Sequence, residues 1–332
     1  MSLSSHKTAF FKKRIHSLMG LWLVLFLCEH LFVNSQAGLL MGDKAQGFVH
    51  AVNQIHNLPF LPFIEVFLLG VPLLFHAFFG IKYALSSKIN TPSFKDQGDK
   101  PVISSWQNWG YTLQRISSWI LLIGILFHVA EMRFIDYPHK VEQETSSSLF
   151  LVKLEMDRGL YALSSKLDYT LYNQEKIEVM QKSIQERENE QEFSSIAKEL
   201  PKSEPYKEEN ALLYKTSLEY QDALLLSSAL TQFMPLSNKE VVACSSSFGT
   251  ASLLQVREAF KSIPVCLFYS LFVLAAIFHA GNGFWTFLCT WGVVISFIAQ
   301  KRARFISLLL IAILLFFAMS SIWGSYWMYK MQ

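Results

Sequence analysis

Long apolar runs fill both ends of the chain, and a polar, serine-rich stretch separates them. Runs near the roughly 20 residues that a helix needs to cross a bilayer begin at about Ile15, Leu58, Ile116, Ile263 and Phe305. The pattern predicts five spans. The run from Ile263 to Ala299 could be cut into two, but that would carry Lys301, Arg302 and Arg304 to the opposite face. One long helix that overruns the membrane surface is the expectation.

Composition agrees with the pattern: 52% of the 332 residues are hydrophobic, 14% are aromatic, and mean hydropathy is +0.27. Orientation follows from the basic residues, because short loops rich in Lys and Arg stay in the cytoplasm. Lys7, Lys12, Lys13 and Arg14 precede the first span, Lys82, Lys88, Lys95 and Lys100 follow the second, and Lys301, Arg302 and Arg304 follow the fourth. All three groups fall on one side. The N-terminus is therefore expected on the cytoplasmic side of the membrane, with the C-terminus outside. "FFKKRIH" looks like the basic end of a signal peptide, yet Glu29 and His30 interrupt the apolar run and no small-residue cleavage site follows, so a retained helix is expected.

Between the third and fourth spans, residues 137–262 carry 14 Lys and Arg against 19 Asp and Glu, a net of −5. An acidic segment of this kind is expected outside. "NQEKIEVMQKSIQERENEQEF" has helix-forming composition with opposite charges spaced along one face, and Pro201 and Pro205 in "LPKSEPYKEEN" suggest a break. The predicted fold class is thus an all-α integral membrane protein: a five-helix bundle with residues 1–136 supplying three spans, a mainly helical extracytoplasmic insert over 137–262, and residues 263–332 supplying the last two. Membrane lipid is an expected partner; nucleic acid is not.

The four cysteines, Cys28, Cys244, Cys266 and Cys289, show no CxxC or CxxCH spacing, which argues against covalent haem attachment and a zinc knuckle. Cys244 and Cys266 could meet an oxidising compartment and form a disulfide. The nine histidines are more informative. Four sit well inside a span, one in each of the first four: His30, His76, His128 and His279. With about 1.5 Å of rise per residue, His30 and His128 fall in the outer half of the bilayer and His76 and His279 near its inner face. The result is two layers with two imidazoles each.

Ionisable side chains in hydrocarbon are expensive to place and mark relays, ion paths or bound groups. Two imidazoles at one depth on different helices are what a six-coordinate haem iron needs, one on each face of the porphyrin. A lone intramembrane histidine is more often a packing or relay residue; four at two shared depths favour ligation of two haems. Gly80, Gly124 and Gly283 each stand four residues from a histidine, on its face, where a flat macrocycle needs room. Small residues in membrane helices also serve helix packing. A proton-relay transporter or a haem-free structural protein is the rival class, although the intramembrane acids amount to Glu29, Glu65 and Glu131.

"RIHSLMG" at Arg14, "EHLFVN" at Glu29, "EVFLLGVPLLFHAFFG" around Glu65 to Gly80, "NWGYTLQR" at Asn108, "FHVAEMR" at Phe127 and "IFHAGNGFWTFLCTWG" at Ile277 occur in order over most of the chain outside the insert. In these pieces the chain resembles the di-haem cytochrome b membrane anchor of bacterial succinate dehydrogenase and fumarate reductase, the single five-helix type. The departure is the insert, because the family has a short connection there. The resemblance pairs His76 with His279 on a proximal haem b and His30 with His128 on a distal one, as depth does. It also likens His16 and Ser17 to donors to a proximal haem propionate.

The resemblance implies a partner flavoprotein with FAD and an iron-sulfur subunit, which oxidise succinate to fumarate and deliver electrons to the proximal haem. A quinone near the outer face, menaquinone by analogy, would receive them. The same anchor working in reverse, in a quinol:fumarate reductase, is the alternative within the family. For the quinone site the residues themselves offer two candidates: Glu65, about one third of the way into the second span, and His56 in the "NQIHNLP" loop. In the bland reading Glu65 pairs with a helix neighbour and His56 is simply solvated.

Overall fold

The computed structural model describes residues 3–38, 45–86, 106–144, 148–189 and 211–331. Lys88, Lys95, Lys100, Pro201 and Pro205 lie outside the described residues, so the charge and break read there are not addressed. In chain order the helices are α1 (Leu3–Ser35), α2 (Gln46–His56), α3 (Leu61–Ile64), α4 (Val71–Ser86), α5 (Trp106–Val129), α6 (Arg158–Leu167), α7 (Gln174–Asn189), α8 (Ala211–Thr231), α9 (Phe248–Ala259), α10 (Ile263–Thr290) and α11 (Phe297–Met331). Strands β1 (His139–Val141), β2 (Leu149–Glu155), β3 (Tyr169–Tyr172) and β4 (Glu240–Ser245) fall between α5 and α9. Contacts divide the chain into a membrane unit of residues 1–48, 57–134 and 260–328, and a second unit of residues 49–56, 135–259 and 329–332.

In the membrane unit the five expected spans are present: Phe10–Gly38, Leu61–Ser86, Trp109–Ile135, Ile263–Thr290 and Phe297–Met331 are each long and apolar enough to cross a bilayer. The protein is a multi-pass helical membrane protein. The fourth span differs from the expected long helix. It stops at Thr290, and Gly292, in the left-handed region at φ 70°, closes its end, with the Gly292 and Val293 amides donating to the Cys289 and Leu288 carbonyls. Lys301, Arg302 and Arg304 therefore lie in the first turns of α11, and the Arg304 guanidinium covers the Trp285 ring at 5.3 Å.

Helices in hydrocarbon gain little from apolar burial, so close backbone approach and polar contacts hold them together. Gly38 lies against the backbone of Ser320, and Gly281 receives the side chain of Ile311. Leu31, Ile277, Leu314 and Ala318 form the buried seam where α1, α10 and α11 meet.

Two spans contain a widened turn, at Glu65–Gly70 before α4 and at Ala130–Ile135 after α5; in the first, the Val71 amide reaches back five residues to the Val66 carbonyl. Pro72 adds to the disturbance, because it has no amide to give the Leu68 carbonyl four residues earlier. The indole N–H of Trp22 on α1 donates to that carbonyl instead, which satisfies a backbone group that water could not reach in a bilayer.

The second unit is not purely helical. Its four strands form an antiparallel sheet in the order β1-β2-β4-β3, with Phe150 opposite Ser245 and Leu171 opposite Ala243. The helix expected over the charged "NQEKIEVMQ" stretch is α7. β4 is buried along almost its whole length, so its "VVACS" run carries no alternation to mark it as a strand. Leu151, Ile177, Leu226, Leu230 and Val242 are the centre of the core. Asp157 caps α6 through the Leu160 amide and takes both arms of the buried Arg257 guanidinium at 2.8 and 2.7 Å. The segment around His56, expected as a loop, is the helix α2, and its second half belongs to this unit: Asn53 accepts from the Gly249 amide at 2.7 Å. Cys244 and Cys266 are both free thiols, and burial pushes the Cys244 thiol up to about 11.

Candidate functional site

Four helices of the membrane unit each offer one imidazole, and the structure brings them together in twos. The rings of His76 on α4 and His279 on α10 have centroids 6.2 Å apart at 81° between planes. Those of His30 on α1 and His128 on α5 are 5.9 Å apart at 77°. An iron bound to one nitrogen of each ring at about 2 Å, with each nitrogen about 1.1 Å from its ring centre, would set the centroids roughly 6 Å apart. Both pairs fit that span.

The tautomers can be worked out from the partners. His76 Nδ1 lies 3.1 Å from the His16 carbonyl, which can only accept, so His76 donates from Nδ1. Ser117 gives its one hydroxyl proton to the Gln114 carbonyl at 3.0 Å, and its oxygen, 3.2 Å from His279 Nδ1, must therefore accept from that ring. Tyr269 gives its proton to Glu131 Oε2 at 2.6 Å, so its oxygen, 3.4 Å from His128 Nδ1, accepts in the same way. With those partners three of the four imidazoles carry their proton on Nδ1 and leave the Nε2 lone pair open, an arrangement suited to a ligating histidine. His30 is held differently, with Phe26 stacked at 5.4 Å.

Around His279 the hold extends further: Gln114 donates to the His279 carbonyl at 3.2 Å, and Asn282 donates to Gln114 at 2.8 Å. The sequence reading missed Gln114, Ser117, Tyr269 and Asn282. Polar residues at helical spacing inside the third and fourth spans were the available signal.

The glycines divide. A Cβ on Gly80 would meet nothing nearer than His16 Cε1 at 3.7 Å, and one on Gly283 nothing nearer than Gln114 Nε2 at 3.8 Å, so both leave room on their histidine's face. Gly124 does not. Its space is taken by the Phe272 ring of α10, so it serves helix packing, and the expected room for a macrocycle there is corrected. Gly20, which the sequence reading passed over, lies directly against the His76 imidazole, where a Cβ would come to 2.9 Å from Cε1.

His16 stacks on His76 at 4.2 Å with planes 7° apart, and its Nδ1 is buried with no hydrogen-bond partner among the described residues. An orphaned ring nitrogen beside the His76 and His279 pair fits an acceptor such as a carboxylate of a bound group. Ser17 follows it, half-buried on α1. Arg14, one turn earlier in α1, covers the Trp291 ring at 5.1 Å, so this end of α1 lies at the end of α10.

The quinone candidates are placed apart in kind. Glu65, on the widened turn of the second span, is paired with Arg133 on that of the third at 2.8 Å. His56 belongs to the second unit, where it stacks on Phe248 at 3.9 Å and meets the edge of Phe150.

Comparison with known proteins gives one relative: the chain is 34% identical over 125 residues to the succinate dehydrogenase cytochrome b558 subunit of Bacillus subtilis. The match covers 37% of this chain and 55% of that subunit, so the chain spans about half the length of the curated relative. No family model matches, and no solved structure matches. Over the matched residues this likeness agrees with the resemblance to a cytochrome b membrane anchor read from the motifs.

Proposed function

We propose that this chain is the cytochrome b anchor of a succinate:quinone oxidoreductase, binding two haems b and joining a cytoplasmic flavoprotein and iron-sulfur subunit to a quinone near the outer face of a bacterial inner membrane. The observation that carries this is the pair of imidazole pairs, at 6.2 and 5.9 Å, on four different helices.

His76 and His279 would hold the inner haem iron, and His30 and His128 the outer one. Bound there, haem b supplies one-electron transfer between donors on one side and an acceptor on the other. The chain's own work is to fix and shield these ligands. The His16 carbonyl and the Ser117 hydroxyl hold the inner imidazoles in the tautomer that leaves Nε2 basic. The unpartnered His16 Nδ1 and the hydroxyl of Ser17 are suited to donate to a propionate of the inner haem. A neutral ligated imidazole also removes the energetic difficulty of a histidine in hydrocarbon.

For the quinone we retain Glu65 and add Arg133. The pair offers a carboxylate that can pass a proton and a guanidinium that can donate to a carbonyl oxygen, both at one end of the bundle and on turns whose widened winding frees backbone groups. His56, whose ring meets Phe248 and Phe150, is the other candidate. Menaquinone, FAD and the iron-sulfur clusters of the partners are carried over from the family resemblance.

The test is chemical and spectroscopic. The complex purified from membranes should contain two haems b per copy of this chain and show a reduced-minus-oxidised cytochrome b spectrum. His76→Leu or His279→Leu should remove one haem, and His30→Leu or His128→Leu the other. A complex that assembles with no haem in this chain overturns the reading.

A further inference from the structure

The two ligand pairs are held by groups of different character. Around His76 and His279 the acceptors for Nδ1–H are neutral: a backbone carbonyl, and a serine hydroxyl whose own proton goes to another carbonyl. At His128 the acceptor is Tyr269, whose hydroxyl is in turn drawn to the carboxylate of Glu131 at 2.6 Å. Tyr269 is buried and wedged edge-on between Phe260 at 5.3 Å and Phe272 at 6.3 Å. Glu131 sits on the widened turn that ends the third span, three residues beyond His128, so the strand of hydrogen bonds leaves the helix, crosses to α10 and returns.

From this geometry we infer that Tyr269 and Glu131 are positioning residues that set the reduction potential of the outer haem through His128; the inference rests on the haem reading above. A hydrogen-bond chain ending in a carboxylate draws the Nδ1 proton away from the ring and leaves Nε2 more electron-rich. A stronger donor at iron stabilises the oxidised, more positively charged metal over the reduced one. The outer haem is therefore held at a lower potential than the same ligand pair would give with a neutral partner. The inner haem, with neutral acceptors on both rings, lacks this bias. Outer partners of metal-bound histidines are worth about 10- to 100-fold in the equilibria they influence.

The experiment is a redox titration of the haem absorbance in the whole purified complex, with the outer haem assigned as the one lost in His128→Leu. Tyr269→Phe keeps the ring and its packing but removes the hydroxyl; Glu131→Gln keeps the shape but removes the charge. Each should retain both haems at full absorbance and move the outer step alone to higher potential. The expected shift is about tenfold in the ratio of reduced to oxidised haem, about 59 mV for one electron. Because the two residues act in series, the double variant should move no further than the larger single one. Should Tyr269→Phe disturb assembly, Glu131→Gln, which leaves the Tyr269 ring and its packing in place, decides the matter. The proposal is overturned if the outer step stays in place in a variant that keeps two haems, if both steps move together, or if the single shifts add. Absence of haem from the unaltered complex would instead remove the parent reading.

Discussion

Glu65 and Arg133, 68 residues apart in sequence, meet at 2.8 Å through turns of wider winding in two different membrane helices. A wide turn is a local defect that persists where something depends on it, and here each one presents a member of the same ion pair. Breaking the pair takes an opposite charge away from an ionisable group at the edge of the hydrocarbon. Glu65→Gln is expected to lower succinate:quinone turnover about tenfold or more, in line with loss of one acid-base group, while succinate oxidation with a soluble dye acceptor and the haem content stay unchanged. Arg133→Lys keeps a charge but not the planar fork, and should restore only part of the activity lost in Arg133→Gln. Quinone activity equal to the unaltered complex in Glu65→Gln would remove this pair from the site.

Gly20 and Gly80 give opposite expectations. A methyl at Gly20 would come to 2.9 Å from His76 Cε1, whereas a methyl at Gly80 would be 3.7 Å from its nearest neighbour. Gly20→Val should therefore displace the His76 ring and lose the inner haem alone, and Gly80→Ala should leave that ring in place. The measurement is haem content per chain and the amplitude of the inner step in a redox titration.

Ser117 lies beside His279 without touching iron in the proposed arrangement. Ser117→Ala leaves the Nδ1–H of His279 without an acceptor in a buried place, and the ring loses the contact that fixes its tautomer. Affinity for the inner haem should fall about 10- to 100-fold. Ser117→Thr, which keeps the hydroxyl, should restore it. Haem retained during dilution of the complex, measured by absorbance, checks both.

The membrane architecture was legible because its signal is long and additive: five apolar runs and four histidines at matched depths survive errors of a few residues at each end. Pairwise contacts were less so. Gly20 and Gly80 look alike along the chain, and only the crossing of α1 with α4 decides which one is pressed against an imidazole and which has space before one. Tyr269 stands ten residues before His279 and 141 after His128, and no local pattern links it to the latter. The second unit was read as mainly helical because α7 announces itself by charge spacing, while β4 is a short apolar run between turns. The end of the fourth span at Thr290 turned on one glycine, Gly292, that the hydrophobic run concealed.

In the second unit Lys153 on β2 reaches Glu240 on β4 at 2.8 Å, and Glu240 also accepts from the Ser237 amide. The Lys153 ammonium and that amide hold the Glu240 carboxyl down at about 2, below its ordinary 4.5. A depressed carboxyl contributes stability that is fully present above the ordinary value and is lost as pH falls through the folded one. Lys153→Met should lower the heat stability of this unit at pH 7 slightly, and the difference from the unaltered protein should fade between about pH 4.5 and pH 2. Unfolding of the complex followed over that range, with equal differences at both ends, would contradict the assignment.

Arg257 and Asp157 offer the strongest test of what holds the second unit together. Their side chains are only 4% and 14% exposed, they join by two hydrogen bonds, and Asp157 additionally caps α6, so the pair ties the start of that helix to α9. Both charges have left water, and the pair is stable only as a pair. Removing one partner takes away the opposite charge that the other faces in a buried place, at about 3–5 kcal/mol. Asp157→Ala carries the further loss of a helix cap, about 1 kcal/mol, and should be the more damaging of the two. Hydrogen exchange on the intact complex is the suitable measurement, since the amides of β2, β4 and α6 report this unit without separating it from the membrane helices. In Arg257→Ala and Asp157→Ala these amides should lose protection by two or more orders of magnitude, while those of α1, α5 and α10 keep theirs and both haems remain bound. Protection lost equally in the membrane helices would mean that the two units unfold as one, and unchanged protection of β2 and β4 would mean that the ion pair is not what holds the sheet to its helices.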